Sequence, residues 1–111
     1  MAANTKVGLG FGDPLTVVEK ASADSPYTVQ STDQVVALTV DGSITVNLST
    51  AATFGLNKRL IIKDVSGGAG VNNVTIDGAG AETIDGRSSI LLTSNYATVT
   101  LMAVTGGWAV V

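Results

Sequence analysis

Apolar and polar positions alternate with a period of two along most of this chain, in short runs broken by Gly, Asp, Asn and Ser. LTVVEK (15–20), YTVQ (27–30), VVALTV (35–40) and SITVNL (43–48) mix β-branched residues with polar neighbours in this way, which predicts strands. RLIIKD (59–64), NVTID (73–77), ETID (82–85), SSILLT (88–93), ATVTLMAV (97–104) and WAVV (108–111) continue the pattern, with glycines filling the gaps. About nine short strands with turns every ~8–12 residues predict an all-β fold, a jelly-roll-like β-sandwich or barrel of antiparallel strands. Asp41-Gly42, between two such runs, is the strongest hairpin signal, because a type I′ turn needs positive φ at both central positions. The one helical signal is STAATFG (49–55), where Ser49 or Thr50 caps a single turn, Phe54 points inward and Gly55 stops it.

The chain divides at Asp13-Pro14, a turn signal. Residues 1–14 read as a glycine-spaced arm and residues 15–111 as the β-domain. Within the arm, Gly8, Gly10 and Gly12 alternate with Val7, Leu9 and Phe11. Glycine on one side of an extended backbone permits close approach to another surface, and three apolar side chains on the other side favour docking over exposure.

Composition points to self-association. Hydrophobic residues make up 45% of the chain and charged ones only 14%, against ~25% charged in ordinary soluble domains. A single small domain has too little polar surface to cover that excess, so burial against other copies or a larger assembly is expected. The net charge of −3, with six basic residues in all, speaks against nucleic acid, whose binding needs clustered Lys and Arg. Cysteine and histidine are both absent, which removes thiolate sites, the commonest metal ligand and the commonest general base. No signal-peptide core and no run of ~18 apolar residues is present, so no membrane partner is expected. The initiating Met and the terminal strand fit a complete small protein as well as a piece of a longer fibre.

Candidate chemistry is sparse. VTIDGAGA (74–81) is echoed by ETIDGRSS (82–89), an eight-residue echo that reads as two strand ends each turning at Asp-Gly rather than as solenoid rungs. GGAGVNNVT (67–75) approaches a calcium-binding nonapeptide, but Asn72 stands where the aspartate belongs. Asp64, Asp77 and Asp85 could pair as acid and base only if they converged in a cleft. No histidine is available to activate a serine. The chain is therefore read as no enzyme, with no catalytic residue, no metal site and no cofactor. Tyr27, Tyr96 and Trp108 are candidates for a glycan platform, but lone aromatics in a β-rich chain more often fill core or subunit interface. Phe54, Tyr96, Trp108 and Val110 are assigned to core or to an interface between copies.

The order Tyr27-Thr28-Val29, a corner ending at Gly55, Ile62-Lys63-Asp64, a Gly/Ala/Asn loop over 67–73, Val74-Thr75-Ile76, Glu82 to Gly86 and Trp108 resembles small trimeric β-domains of tailed-phage virion proteins, found in capsid decoration (cement) proteins, head fibres and tail fibres. The corner departs from that pattern at Leu48-Ser49, where a proline is often found. The resemblance implies a homotrimer, made in the host cytoplasm and placed in the virion. A compact domain behind a short arm suits a decoration protein on the capsid surface, with Val7, Leu9 and Phe11 docking on the major capsid protein or on a neighbouring copy. The alternative is a tail-fibre or head-fibre module whose loops, at 78–80 and Ser94-Asn95, meet a host receptor or glycan.

Overall fold

A computed structural model describes residues 14–111. The arm residues Val7, Leu9 and Phe11 lie outside the described residues. Ten strands form there: β1 (Val17–Ala21), β2 (Tyr27–Thr28), β3 (Val35–Thr39), β4 (Ile44–Asn47), β5 (Arg59–Asp64), β6 (Val74–Asp77), β7 (Thr83–Ile84), β8 (Ser89–Leu92), β9 (Thr98–Val104) and β10 (Gly107–Val110). Each falls within or beside a run of alternation or β-branched residues in the sequence. They build two sheets, a large one in the order β1-β3-β5-β9-β10-β7 and a small one in the order β2-β4-β6-β8.

All-β is correct, but antiparallel is not the rule. β1, β3 and β5 run parallel, as do β2, β4 and β6, and β7 pairs parallel with β10. Only β5 with β9, β9 with β10, and β6 with β8 are antiparallel. The chain climbs through three levels, β1 to β2, β3 to β4 and β5 to β6, each level contributing a strand to both sheets. The levels are unequal, 18 residues separating Val17 from its partner Val35 and 26 separating Val35 from Ile61. No fixed period exists for a repeat search to find, and the eight-residue echo is not a level.

The expected hairpin at Asp41-Gly42 is therefore an arch. β3 already has β1 and β5 as neighbours, and β4 has β2 and β6, so neither has a free edge for the other. Leu38 and Val40 before the turn, and Ile44 and Val46 after it, all point into one core. The Asp41 carboxylate instead accepts from the Ser22 N–H at 3.1 Å and the Ser22 hydroxyl at 2.6 Å, joining one level's corner to the next. Those two bonds hold the Asp41 carboxyl below its ordinary value. The tight two-residue turn occurs at Asp85-Gly86, where φ is 49° and 83° and Ile84 and Arg87 exchange both backbone hydrogen bonds.

The short helix α1 (Ala51–Phe54) forms where its capping signal stands. Thr50 Oγ1 accepts from the Thr53 N–H, and Gly55 takes a φ of 121°. Phe54 and Trp108 meet in the core with ring centroids 5.0 Å apart and planes tilted by 55°, a geometry aromatic pairs favour. The Trp108 indole N–H donates to the Ser49 carbonyl. Around them Val36, Leu38, Val46, Leu60, Ile62, Ile76 and Leu101 fill the space between the sheets.

Candidate functional site

Alternation places every second residue of a strand on the outer side of its sheet, and the two outer sides differ in chemistry. On the small sheet, Thr28, Asn47, Asp77 and Ser89 lie in one row, and Thr45, Thr75 and Leu91 in the next. All but Leu91 are polar, as a solvated face should be.

On the large sheet the outer face is apolar. Val17, Val35, Ile61 and Thr100 stand in register across β1, β3, β5 and β9. Val111 extends the row, its N–H donating to the Thr100 carbonyl at 2.9 Å. Beside it, Arg59, Met102 and Ala109 form a second row. On the other flank lie Glu19, Ala37, Lys63 and Thr98. Val17 is 52% exposed and Val111 56%. Charges sit at the margins: Lys63 Nζ donates to the Tyr96 carbonyl at 2.8 Å and the Thr98 hydroxyl at 3.2 Å, and Lys58 Nζ to the Ser31 carbonyl at 2.6 Å. An apolar centre with a polar rim is the anatomy of a protein interface.

Next to this face opens a cavity of about 290 Å³ lined by Leu15, Gln34, Lys58, Arg59 and Ile61. Gln34 clamps the chain at its mouth. The Thr16 N–H donates to Gln34 Oε1 at 2.6 Å, and the N–H groups of Gln34 and Val35 both donate to the Thr16 carbonyl at 3.0 Å.

The residues assigned from sequence to interface or core divide. Phe54 and Trp108 are buried, so they are core, whereas Tyr96 and Val110 are exposed. Tyr27 is partly buried and donates its hydroxyl to the Asp33 carboxylate at 2.6 Å. Burial and that bond raise the Tyr27 hydroxyl well above its ordinary pKa. Neither Trp108 nor Tyr27 is free to serve as a glycan platform.

The aspartates also take separate roles. Asp64 is fully buried and accepts from the N–H groups of Ser66, Gly67, Ala69 and Tyr96 and from the Ser66 hydroxyl, at 2.8–3.1 Å. Burial pushes its carboxyl up, but the four N–H donors outweigh that and hold it well below the usual carboxylate range. Asp77 lies on the outer side of the small sheet. Asp85 sits in its turn and accepts from the Val110 N–H at 3.3 Å. The loop likened to a calcium nonapeptide is organised by Asp64 and by Asn95, whose side-chain oxygen accepts from the Gly70 N–H. Among the described residues no group of three or more Asp or Glu is placed to hold a metal, and no helix is long and apolar enough to cross a membrane.

Reading the sequence did not single out the outer row of the large sheet. A partial signal was present: VVAL (35–38) and LII (60–62) are apolar at consecutive positions, as in a strand covered on both sides.

A comparison with known families matches residues 11–109 to the family described as bacteriophage T4 gp9/10-like protein, N-terminal. No curated protein matches the chain.

Proposed function

The chain belongs to the bacteriophage T4 gp9/10-like protein N-terminal family, a family of phage virion proteins, and from that premise we propose that it is a capsid decoration protein that works as a homotrimer. The observation that carries the self-association is the apolar row Val17, Val35, Ile61, Thr100 and Val111 on the outer side of the large sheet. Copies meeting through this face around a three-fold axis bury the apolar excess noted in the composition. A trimer bound across neighbouring shell subunits favours the assembled shell by mass action, and three linked contacts give an avidity that one lacks. The major capsid protein is the partner in this reading.

A second reading, a module of a tail or head fibre that meets a host receptor or glycan, is favoured by a different observation. Among the described residues, β1 and β2 each have a strand neighbour on one side only. Such edges accept a further strand, so a longer chain or shaft could continue the stack.

Cryo-electron microscopy of intact virions tests both. Many copies at three-fold positions of the capsid are expected for the decoration protein. A few copies on the tail would overturn it in favour of the fibre module. Sedimentation of the purified chain tests the trimer separately, and a monomer at micromolar concentration would refute it.

A further inference from the structure

We infer that β8 (Ser89–Leu92) is a second contact between copies, pairing antiparallel with β8 of another copy about a two-fold axis at Ile90. The contact uses an edge of the small sheet, so it goes beyond the trimer proposed above and does not depend on it.

Four strands stand at sheet edges among the described residues, β1 and β7 in the large sheet and β2 and β8 in the small one. An edge strand offers unpaired N–H and C=O groups to any other extended chain, and folds guard against this with charges, short length or a covering segment. β1, where a longer chain would continue the stack, carries Glu19 and Lys20, and the Asp24 carboxylate accepts from its Ala21 N–H at 2.9 Å. β2 has two residues, and Gln30 Nε2 donates to its Thr28 carbonyl at 3.0 Å. β7 is closed by its own turn, in which Ile84 and Arg87 exchange both backbone hydrogen bonds. β8 has no such guard: its sequence is SILL, without a charge or a proline.

Which groups of β8 are free follows from its pairing. The Gly78 N–H donates to the Ser88 carbonyl at 3.0 Å, and bonded residues alternate along an antiparallel pair. Ile90 and Leu92 therefore bond to Ile76 and Val74 of β6, while Ser89 and Leu91 turn their N–H and C=O groups away from it. These groups lie symmetrically about Ile90. A second β8 running antiparallel sets Ser89 against Leu91 and Leu91 against Ser89, which satisfies every one of them. That self-complementarity singles out another copy as the partner.

The side chains agree. Leu91 is 53% exposed and is the apolar exception in the outer rows of the small sheet. In the pair it lies diagonal to its counterpart, about 7–8 Å away and within reach of a long side chain. Ile90, partly buried against the core, meets its counterpart directly, with Cα atoms about 4.5 Å apart. A three-fold contact closes within a trimer, whereas this two-fold contact joins one trimer to the next.

The chain has no cysteine, so a single introduced one reports the contact. Facing Cα atoms at the Ile90 spacing suit a disulfide, and the diagonal pair at Leu91 is too far apart for one. Under mild oxidation Ile90→Cys is expected to form crosslinked dimers roughly tenfold faster than Leu91→Cys, although Leu91 is the more exposed; random collision would give the opposite order. Adding Leu91→Lys, a guard of the kind β1 carries, should abolish the Ile90→Cys crosslink. Hydrogen exchange on the unaltered chain gives an independent reading. The Ser89 and Leu91 amides are expected to exchange fast at micromolar concentration and to slow as concentration rises, with Ile90 and Leu92 slow throughout. Both results should persist in Met102→Lys, which alters the outer face of the large sheet, so failure of the trimer leaves this contact standing. Equal or reversed crosslinking rates, or Ser89 and Leu91 amides that exchange fast up to millimolar concentration, would overturn the inference. So would protection that is independent of concentration, which assigns the edge to a segment of the same chain, or protection lost in Met102→Lys, which assigns it to the trimer contact.

Discussion

Replacing Asp64 by Asn removes a charge and one acceptor from the most densely bonded polar site of the fold while keeping its shape. One carboxylate oxygen accepts from the Ser66 and Gly67 N–H groups and the Ser66 hydroxyl, and the other from the Ala69 and Tyr96 N–H groups. An amide has a single acceptor oxygen, so whichever way Asn is turned its NH₂ faces at least two N–H donors that have lost their partner. An orphaned buried donor costs about 1–3 kcal/mol, which puts Asp64→Asn at about 2–6 kcal/mol, a large share of the ~5–15 kcal/mol that holds a small domain together. The loop that Asp64 organises would be the first part to loosen, because Gly67, Ala69 and Tyr96 come from two separate segments joined through it.

Urea unfolding followed by circular dichroism at a series of pH values measures this. The Asp64 carboxyl is held low in the folded state. Its contribution is therefore complete above the unfolded carboxylate value near 3.9 and is lost as pH falls from there through the folded value. The gap between wild type and Asp64→Asn should be full at pH 7 and narrow below about pH 4. A loss under about 0.5 kcal/mol at pH 7, the range of ordinary surface substitutions, would refute the reasoning. A gap unchanged down to pH 2 would show that the charge itself contributes nothing beyond shape.

Trp108→Ala removes the ring that packs on Phe54 and the N–H that serves the Ser49 carbonyl, and should cost about 3–5 kcal/mol in the same unfolding assay. In Gly68→Ala the new Cβ would run into the Val40 carbonyl oxygen, so a loss of at least ~1 kcal/mol is expected and a neutral result in thermal melts would contradict the packing. Met102→Lys, on the outer side of β9, should leave the unfolding midpoint within about 0.5 kcal/mol of wild type but lower the sedimenting mass to that of one chain; an unchanged mass would exclude this face from the trimer contact.

Local signals were legible where a few neighbouring residues decide the outcome. Thr50, Phe54 and Gly55 announce α1 because capping, an inward ring and a positive-φ stop act within one turn. The strands were visible because β-branched alternation suits a pleated, half-buried backbone whatever it pairs with. That indifference to partner is also why pairing was not legible. Asp41-Gly42 and Asp85-Gly86 carry the same dipeptide, yet only the second turns tightly. The first joins two strands whose edges are already occupied, a circumstance set by residues as distant as Val17 and Ile61.

The outer face of the large sheet shows the same division. Composition alone established that this chain is rich in apolar residues and poor in charged ones, and that it holds no histidine and no cysteine. Which apolar residues stand together on the outer side was decided only by register: Arg59 and Lys63 mark the parity of Ile61 as the outer one, but no local signal says that Val17, Val35 and Thr100 line up with it. The stacking of unequal levels, held at their corners by Asp41 on Ser22 and by Ser66 on the Val40 N–H, sets that register. It brings Val17, Val35, Ile61, Thr100 and Val111 into one row, a long-range arrangement that no local run of residues encodes.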